Sequence, residues 1–203
     1  MPTQTSIHFF HNWAKERIDE MDAIVVSLKR KAADLRVESR VKADQFISDL
    51  RKTRDEFEVT VKKQAKMGEA AWETIKSQLE AQWKGFEIQV EKYFETFGKD
   101  IKEYQDVFES QVTAQMNAWH DAANQIQAAA SEFAAARRKD IDATISRMRA
   151  DAAAADERLQ KLARAGAESW PALSAALTET RGVFDRVNKD AREAFKRATE
   201  PTH

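Results

Sequence analysis

The stretch WETIKSQLEAQWKGFEIQVEKYFETFGKDIKEYQDVFESQVTAQMNAW, residues 72–119, repeats its apolar side chains every eleven positions. The repeat extends in both directions, and its apolar positions form three lanes along the chain. The lanes are Ile24, Leu35, Phe46, Phe57, Leu79, Val90, Ile101, Val112, Ala123, Ala134 and Ile145; Leu28, Leu50, Val61, Trp72, Trp83, Phe94 and Met116; and Ile75, Phe86, Phe97, Phe108, Trp119, Ala130 and Ile141. Eleven residues make three helical turns, so each lane is a line along a helix surface.

The three lanes are neighbours on the helix and form one apolar stripe about 100° wide. Between the two halves of the chain the stripe moves about a sixth of a turn across the lanes, so its period lies between about 3.6 and 3.67 residues per turn. That period is close to that of a relaxed helix and predicts nearly straight helices. One helix cannot bury such a stripe, so another helix, another chain or a lipid surface must cover it.

The composition favours an all-α fold. Of 203 residues only five are glycine and three are proline, and no proline lies between Thr3 and Trp170. Helix-forming residues dominate the remainder. We therefore expect long, nearly straight amphipathic helices packed as an antiparallel hairpin or bundle, or as a coiled-coil-like assembly.

Capping signals suggest helices 6–66, 69–164 and 171–198 within one elongated domain, 1–203. Gly68 follows three lysines and precedes two glutamates, which is typical of a helix end, but the eleven-residue phase continues past it. A turn and a continuous helix both remain open there, with a break slightly favoured. The stripe passes Gly85 and Gly98, so we expect no break at either. Gly166 predicts a second stop, and Pro171 predicts a shorter C-terminal helix after it.

The charge is uneven along a chain whose formal net charge is −1. Residues 1–66 carry 14 Lys/Arg against 11 Asp/Glu, residues 67–136 carry 5 against 12, and residues 137–203 carry 14 against 11. An acidic centre disfavours binding to nucleic acid or to an anionic membrane. Either the basic ends lie antiparallel along the acidic middle, or these are solvated faces with uneven counts.

The chain has no cysteine, which excludes disulfides and thiolate chemistry and is consistent with a reducing compartment. No apolar run approaches the roughly 18 residues of a transmembrane helix, and the first ten residues do not resemble a signal peptide. We expect a soluble, cytoplasmic protein.

Histidines and carboxylates are the candidate sites for chemistry. His8 and His11 have the spacing of metal ligands, but no third ligand stands near them in sequence. His120 lies beside Asp121, and adjacent helix residues point apart. Two further sets repeat at eleven on the edges of the stripe and are interpreted as solvated borders: Glu69, Glu80 and Glu91, and Gln78, Gln89 and Gln111. We therefore expect no catalytic, metal or cofactor-binding residues, and no enzyme.

Three other features concern packing. The aromatic side chains of the lanes are interpreted as core, with a ligand groove as the alternative. Four valines lie opposite the stripe and either contact a second partner or are scattered on the surface: Val26, Val37, Val41 and Val59. Runs of alanine at 128–130, 134–136 and 152–155 favour close packing against another helix.

An eleven-residue amphipathic repeat on a proline-poor helical chain resembles the exchangeable apolipoproteins over residues 24–145. The resemblance implies helices that lie on a lipid surface. The chain departs from that family because it lacks regularly spaced prolines and borders its stripe with glutamate rather than Lys or Arg. Phasins, which coat bacterial polyester granules, are a second resemblance, in length, helicity and lack of cysteine.

These observations favour a non-enzymatic structural or interaction protein. We expect a helical-bundle or coiled-coil scaffold that forms a homo-oligomer or binds a helical protein partner. The alternative is an amphipathic protein that opens its bundle on a lipid or granule surface.

Overall fold

The computed structural model describes residues 4–64, 67, 71–98, 101–166 and 169–200. They form six helices: α1 (Gln4–Ala32), α2 (Val37–Gln64), α3 (Trp72–Phe97), α4 (Ile101–Ala130), α5 (Ala135–Ala165) and α6 (Trp170–Thr199). The helices are 26 to 31 residues long and pack against one another as a bundle. The predicted all-α fold class is confirmed, while the single elongated domain over 1–203 stays a prediction.

Two predicted helices are wrong in extent. The helix predicted over 6–66 is divided at residues 33–36, and the helix predicted over 69–164 is divided after Phe97 and at residues 131–134. Neither of the turns at 33–36 and 131–134 contains glycine or proline. Both are closed by backbone hydrogen bonds instead, such as Leu35 N–H to the carbonyl of Ala32 and Phe133 N–H to that of Ala130. The absence of breaker residues is why the sequence does not reveal them.

Gly98 ends α3, although the stripe predicts a continuous helix there. Its N–H donates to the Phe94 carbonyl at 2.8 Å, and its carbonyl accepts a bond from the Tyr104 hydroxyl at 3.2 Å. The Tyr104 ring packs edge-on against Phe94, with centroids 4.9 Å apart. Side-chain packing between α3 and α4 therefore stabilises a break that periodicity alone argues against.

The other predicted stops are better placed. Gly166 adopts the left-handed conformation (φ 69°) after α5, as its sequence context predicts. Gly68 itself lies outside the described residues, but α2 ends at Gln64 and α3 begins at Trp72. The helix predicted over 171–198 corresponds to α6, which is as long as its neighbours rather than shorter.

The helix pairs α1 with α4 and α5 with α6 run antiparallel. Between α1 and α4, Lys15 pairs with Asp121 and Lys31 with Asp106, so rising numbers in one helix meet falling numbers in the other. The pairs Arg147–Asp190 and Arg158–Glu179 show the same for α5 and α6. The first two pairs join basic residues of the N-terminal segment to the acidic middle. The last two join residues within the C-terminal segment, so the predicted pairing of basic ends with the acidic middle holds only in part.

The lanes form the core. Every described member of the third lane is buried or partly buried, and Phe86, Phe108 and Trp119 are completely enclosed. The interpretation of the lane aromatics as core is confirmed. The alanine runs fit less well: Ala130 and Ala152 are buried, but residues 134–136 are exposed because the chain turns there.

The size of the side chains sets how closely each helix packs. Helix α6 presents small residues such as Ala176, Ala191 and Ala194, and it lies close to both α1 and α4. Helix α3 presents large aromatic residues in the same interior, among them Trp83 and Phe86. Backbones approach more closely where side chains are small, which explains why α6 lies against both α1 and α4.

Candidate functional site

A cluster of charged and amide side chains lies inside the bundle, where α1, α3, α4 and α6 meet. We call it the polar cluster. Its members are Glu16, Arg17 and Glu20 of α1, Glu87 of α3, Gln111 and Gln115 of α4, and Arg181 and Asp185 of α6. Two of its carboxyl groups, Glu16 and Glu20, are completely buried and have pKa values shifted in opposite directions, so the cluster is the first place to look for chemistry.

Helix periodicity brings the cluster together. Glu16 and Glu20 are four residues apart on α1 and share one face. Arg181 lies between Leu177 and Phe184 in the apolar stripe of α6 and is carried into the interior with them. No more than 6% of the side-chain surface of Glu16, Glu20 or Arg181 is exposed to solvent.

Glu20 is a fully satisfied carboxylate. Its Oε1 accepts bonds from Arg181 Nε at 3.0 Å and Gln115 Nε2 at 2.9 Å. Its Oε2 accepts bonds from Arg181 Nη2 at 3.0 Å and Gln111 Nε2 at 3.1 Å. Burial acts to raise its pKa, but the positive charge of Arg181 and these donors outweigh burial and lower the pKa. Glu20 is therefore the ionised member of the carboxyl pair.

Glu16 is the opposite case. One oxygen accepts a bond from Arg17 at 3.0 Å, while Oε1 has no hydrogen-bond partner and lies 3.8 Å from Arg181 Nε. Burial, followed by the negative charge of Glu20, raises the pKa of Glu16 well above its usual value. The structure thus favours a protonated Glu16 beside an ionised Glu20.

The two arginines tie α6 to the rest of the bundle. Arg17 makes a two-point contact with Asp185 at 2.9 and 2.7 Å and stacks over the Trp13 ring at 4.1 Å. Arg181 contacts Glu87 at 3.3 Å and stacks over Trp83 at 4.3 Å. Both guanidinium groups therefore bind partners on more than one helix of the chain.

These geometries suit a structural role. Glu16 and Glu20 are completely enclosed, so neither can reach a substrate from solvent without movement of a helix. Beside the cluster, an open groove of about 470 Å³ lies between α3 and α6, lined by Glu87 of the cluster and by Ile88, Trp170 and Glu179 among others. Two of its acidic side chains are already paired, Glu87 with Arg181 and Glu179 with Arg158.

The predicted candidates do not come together. His120 is exposed, as expected, beside the buried Trp119. His11 is exposed and its ring lies 5.7 Å from that of Phe10, while the side chain of His8 and all of Glu69 lie outside the described residues. Within the described part of the chain, no three His, Asp or Glu side chains are grouped so as to hold a metal ion.

The residues predicted at the edges of the stripe differ in their exposure to solvent. Glu80, Glu91 and Gln78 are exposed, as the interpretation of a solvated border requires. Gln89 is half-buried and contacts Thr53 of α2, at 3.2 Å. Gln111 is buried and donates to Glu20, so its interpretation as a solvated border is wrong. The reason is that α1 and α6 both cover this side of α4.

Sequence analysis missed the polar cluster. The signal was present, because Glu16, Glu20 and Arg181 interrupt apolar faces between Trp13 and Ile24 and between Leu177 and Phe184. Charges inside an apolar face predict a buried ion pair when two such faces meet. The sequence alone does not show which faces meet.

Comparison of the chain with known protein families, curated proteins and solved structures finds no match. Among the described residues, no helix combines the length and apolar character needed to cross a lipid bilayer.

Proposed function

We propose that this chain is a non-enzymatic structural protein, a helical-bundle scaffold that self-associates. The observation that carries the proposal is that the members of the polar cluster bond to one another inside the bundle. The buried acids and guanidinium groups that could perform chemistry are sealed from solvent and bonded to one another, where they fix α1, α3, α4 and α6 relative to each other.

Exposed apolar side chains support self-association. Among the residues whose side chains the structure describes, the exposed large hydrophobic ones lie between residues 26 and 88: Val26, Val37, Val41, Val59, Met67 and Ile88. Val41 and Val59 are 18 residues apart on α2, which is five full turns, so they lie on one line of that helix. Val37, 72% exposed, lies one turn before Val41. A second protein chain on this face of α2 would cover these valines together with the exposed polar residues between them, Gln45, Ser48 and Lys52.

Binding to a lipid or granule surface is the second candidate. It is favoured by six long amphipathic helices whose apolar faces meet only each other, as the resemblance to apolipoproteins and phasins implies. The indole N–H groups of Trp13, Trp83 and Trp119 are buried without a partner, which reduces the cost of opening the bundle.

Mass and lipid response separate the two candidates. The scaffold should show a mass that rises with concentration in light scattering, and tryptophan emission that neutral phosphatidylcholine vesicles or a triglyceride emulsion leave unchanged. A strictly monomeric protein whose emission shifts and whose helicity rises with lipid would contradict the scaffold and support the second candidate.

A surface variant tests the line of exposed valines on α2, Val37, Val41 and Val59, which we call the valine line. Val41→Lys together with Val59→Lys adds charge to exposed positions and should weaken any association made through that line. The matched control is Thr113→Lys, at an exposed position of α4. Equal masses for both variants would exclude the valine line as the contact.

A further inference from the structure

The two halves of the chain have the same architecture at an offset of 98 residues, the separation of Trp72 from Trp170. At this offset α3 and α6 begin at equivalent residues, and so do α2 and α5, at Val37 and Ala135. Six pairs in the core or at its edge are identical: Phe10 and Phe108, Ile47 and Ile145, Trp72 and Trp170, Leu79 and Leu177, Phe86 and Phe184, Phe97 and Phe195. We call α1–α3 the first unit and α4–α6 the second unit.

The two units are related by an approximate two-fold about the contact of α1 with α4, although α6 packs on α1 more closely than α3 packs on α4. The first helices of the units, α1 and α4, run antiparallel along one another. Trp83 and Arg181 are equivalent positions at the 98-residue offset, and they stack on each other at 4.3 Å. Such pairing of equivalent positions is the geometry of an isologous interface, here formed within one chain.

Polar contacts between the units are numerous and specific. Ser27 Oγ lies 2.8 Å from Ser110 Oγ, and the Glu20–Arg181 and Arg17–Asp185 pairs also cross between units. None of these contacts depends on the covalent connection between α3 and α4. The same contacts can therefore form between the first unit of one chain and the second unit of another.

Gly98 ends the first unit at a point where the sequence favours a continuous helix. The third lane crosses it in unbroken phase, through Phe86, Phe97, Phe108 and Trp119. If α3 continued into α4, these side chains would stay on one stripe. Glycine is what permits the break: a Cβ at this position would lie 2.7 Å from the Phe94 carbonyl oxygen and 2.8 Å from a ring carbon of Tyr104.

We propose that a second copy of this chain binds by exchange of units. The break at Gly98 straightens, α3 and α4 become one helix, and the first unit of each chain packs on the second unit of the other. This deepens the proposed function, because it rests on self-association and names the surface that achieves it. The exchanged dimer regains every contact between units and differs from the monomer mainly at its two hinges.

A cysteine pair distinguishes exchange from contact between closed bundles. The chain has no cysteine, so Ser27→Cys with Ser110→Cys introduces a single possible disulfide between the units. The protein is refolded from urea over a concentration series, separated by size and oxidised. We expect the dimer to yield two chains joined covalently on a non-reducing gel, and the monomer to yield an internal disulfide.

A second pair provides the matched control. Thr53→Cys with Gln89→Cys places one thiol on α2 and one on α3 within the first unit, where Thr53 Oγ1 and Gln89 Nε2 now lie 3.2 Å apart. Because cysteine is shorter than glutamine, a short bis-maleimide joins this pair, and the link should stay within one chain in the monomer and in the exchanged dimer alike.

Gly98→Ala tests the hinge. Replacing glycine by alanine should favour the continuous helix about five-fold at each hinge. The exchanged dimer has two hinges, so its association constant should rise about 25-fold or more. Gly85→Ala is the control, since a Cβ there meets no atom within 4 Å and the residue lies inside α3. It should leave the dimer fraction unchanged.

The outcomes separate the two proposals. Dimers with only internal disulfides would overturn unit exchange and leave the scaffold in place, with contact through the exposed surface instead. Wild-type and Gly98→Ala proteins that both remain monomeric at every concentration would overturn exchange and self-association together.

Discussion

Glu16 and Glu20 are one helical turn apart in the same interior, yet their pKa values move in opposite directions. Glu20 receives four hydrogen bonds from Arg181 and two glutamines, whereas Glu16 receives one and keeps an oxygen without a partner. Position relative to Arg181, rather than burial, separates them.

The Glu16 carboxyl makes the bundle sensitive to pH. Its folded-state pKa lies above the unfolded value of 4.5, so the protonated form contributes stability that is lost as pH rises from about 4.5 through the folded pKa. Glu16→Gln should remove this loss, raising the free energy of unfolding by about 1.4 kcal/mol per unit of pKa shift. Urea unfolding of both proteins between pH 5 and pH 9 measures it. Parallel curves for wild type and variant would contradict the assignment.

Glu20→Gln should change the free energy of unfolding in the opposite direction from Glu16→Gln. Its folded pKa is lowered, so its ionised form contributes stability above about 4.5 that is lost as pH falls through the folded pKa. The variant should be less stable than wild type at neutral pH, and the difference should shrink in acid.

Arg181 is the most connected residue of the polar cluster. Arg181→Met leaves Glu20 buried without its cation and should lower the free energy of unfolding by about 3–5 kcal/mol. Adding Glu20→Gln to that variant should recover part of the loss, because the uncompensated charge is gone. Chemical unfolding of the two single variants and the double variant gives the coupling energy, and strict additivity would argue against a direct Glu20–Arg181 interaction.

At the scale of helices, glycine acts differently at each position. Gly166 has φ 69°, which costs an alanine about 1–2 kcal/mol, whereas Gly85 lies inside α3 with free space around its Cβ position. Gly166→Ala should therefore lower the melting temperature, and Gly85→Ala should raise it through a helix gain of about 1 kcal/mol. Circular dichroism melts check both, and equal shifts in one direction would contradict the assigned conformations.

The third lane is tested by a charge in the core. Phe97 is 7% exposed and packs edge-on against Phe46, with ring centroids 5.7 Å apart. Phe97→Asp should cost about 3 kcal/mol or more, since it leaves both a cavity and a buried charge. Ile88→Asp, at a residue 43% exposed on the same helix, should change stability by less than about 0.5 kcal/mol. Similar losses in both would show that the lane is not the core.

The elements show how far sequence reasoning reaches. Periodicity identifies which side chains are buried, because a stripe excluded from water must lie inside whatever the partner is. It fails at residues 33–36 and 131–134, where the chain turns without glycine or proline. It also fails at Gly98, where Tyr104 stabilises a helix end although the eleven-residue repeat continues past it. The repeat across Gly98 wrongly predicts a continuous helix in the monomer. The same repeat is the feature that the proposed unit exchange uses, because there α3 and α4 form one helix.

At the scale of the molecule, the stripe is covered by the chain itself. The polar cluster was not predicted because the sequence does not show that α6 lies against α1. The Asn188 side chain, for example, donates to the Phe9 carbonyl, 179 positions away in sequence. The 98-residue offset was also hidden, since the eleven-residue repeat dominates every local comparison. Long-range pairing is what local patterns leave undetermined.

Small-angle X-ray scattering of the monomer fraction tests the central claim most directly. A closed bundle of helices of 26 to 31 residues, each about 39–47 Å long, should have a maximum dimension of about 50–70 Å. One continuous helix over residues 7–165 would extend roughly 240 Å, and a single open hairpin roughly half that. A monomer longer than about 100 Å would contradict the account, because its apolar stripe would then need a cover from outside the chain.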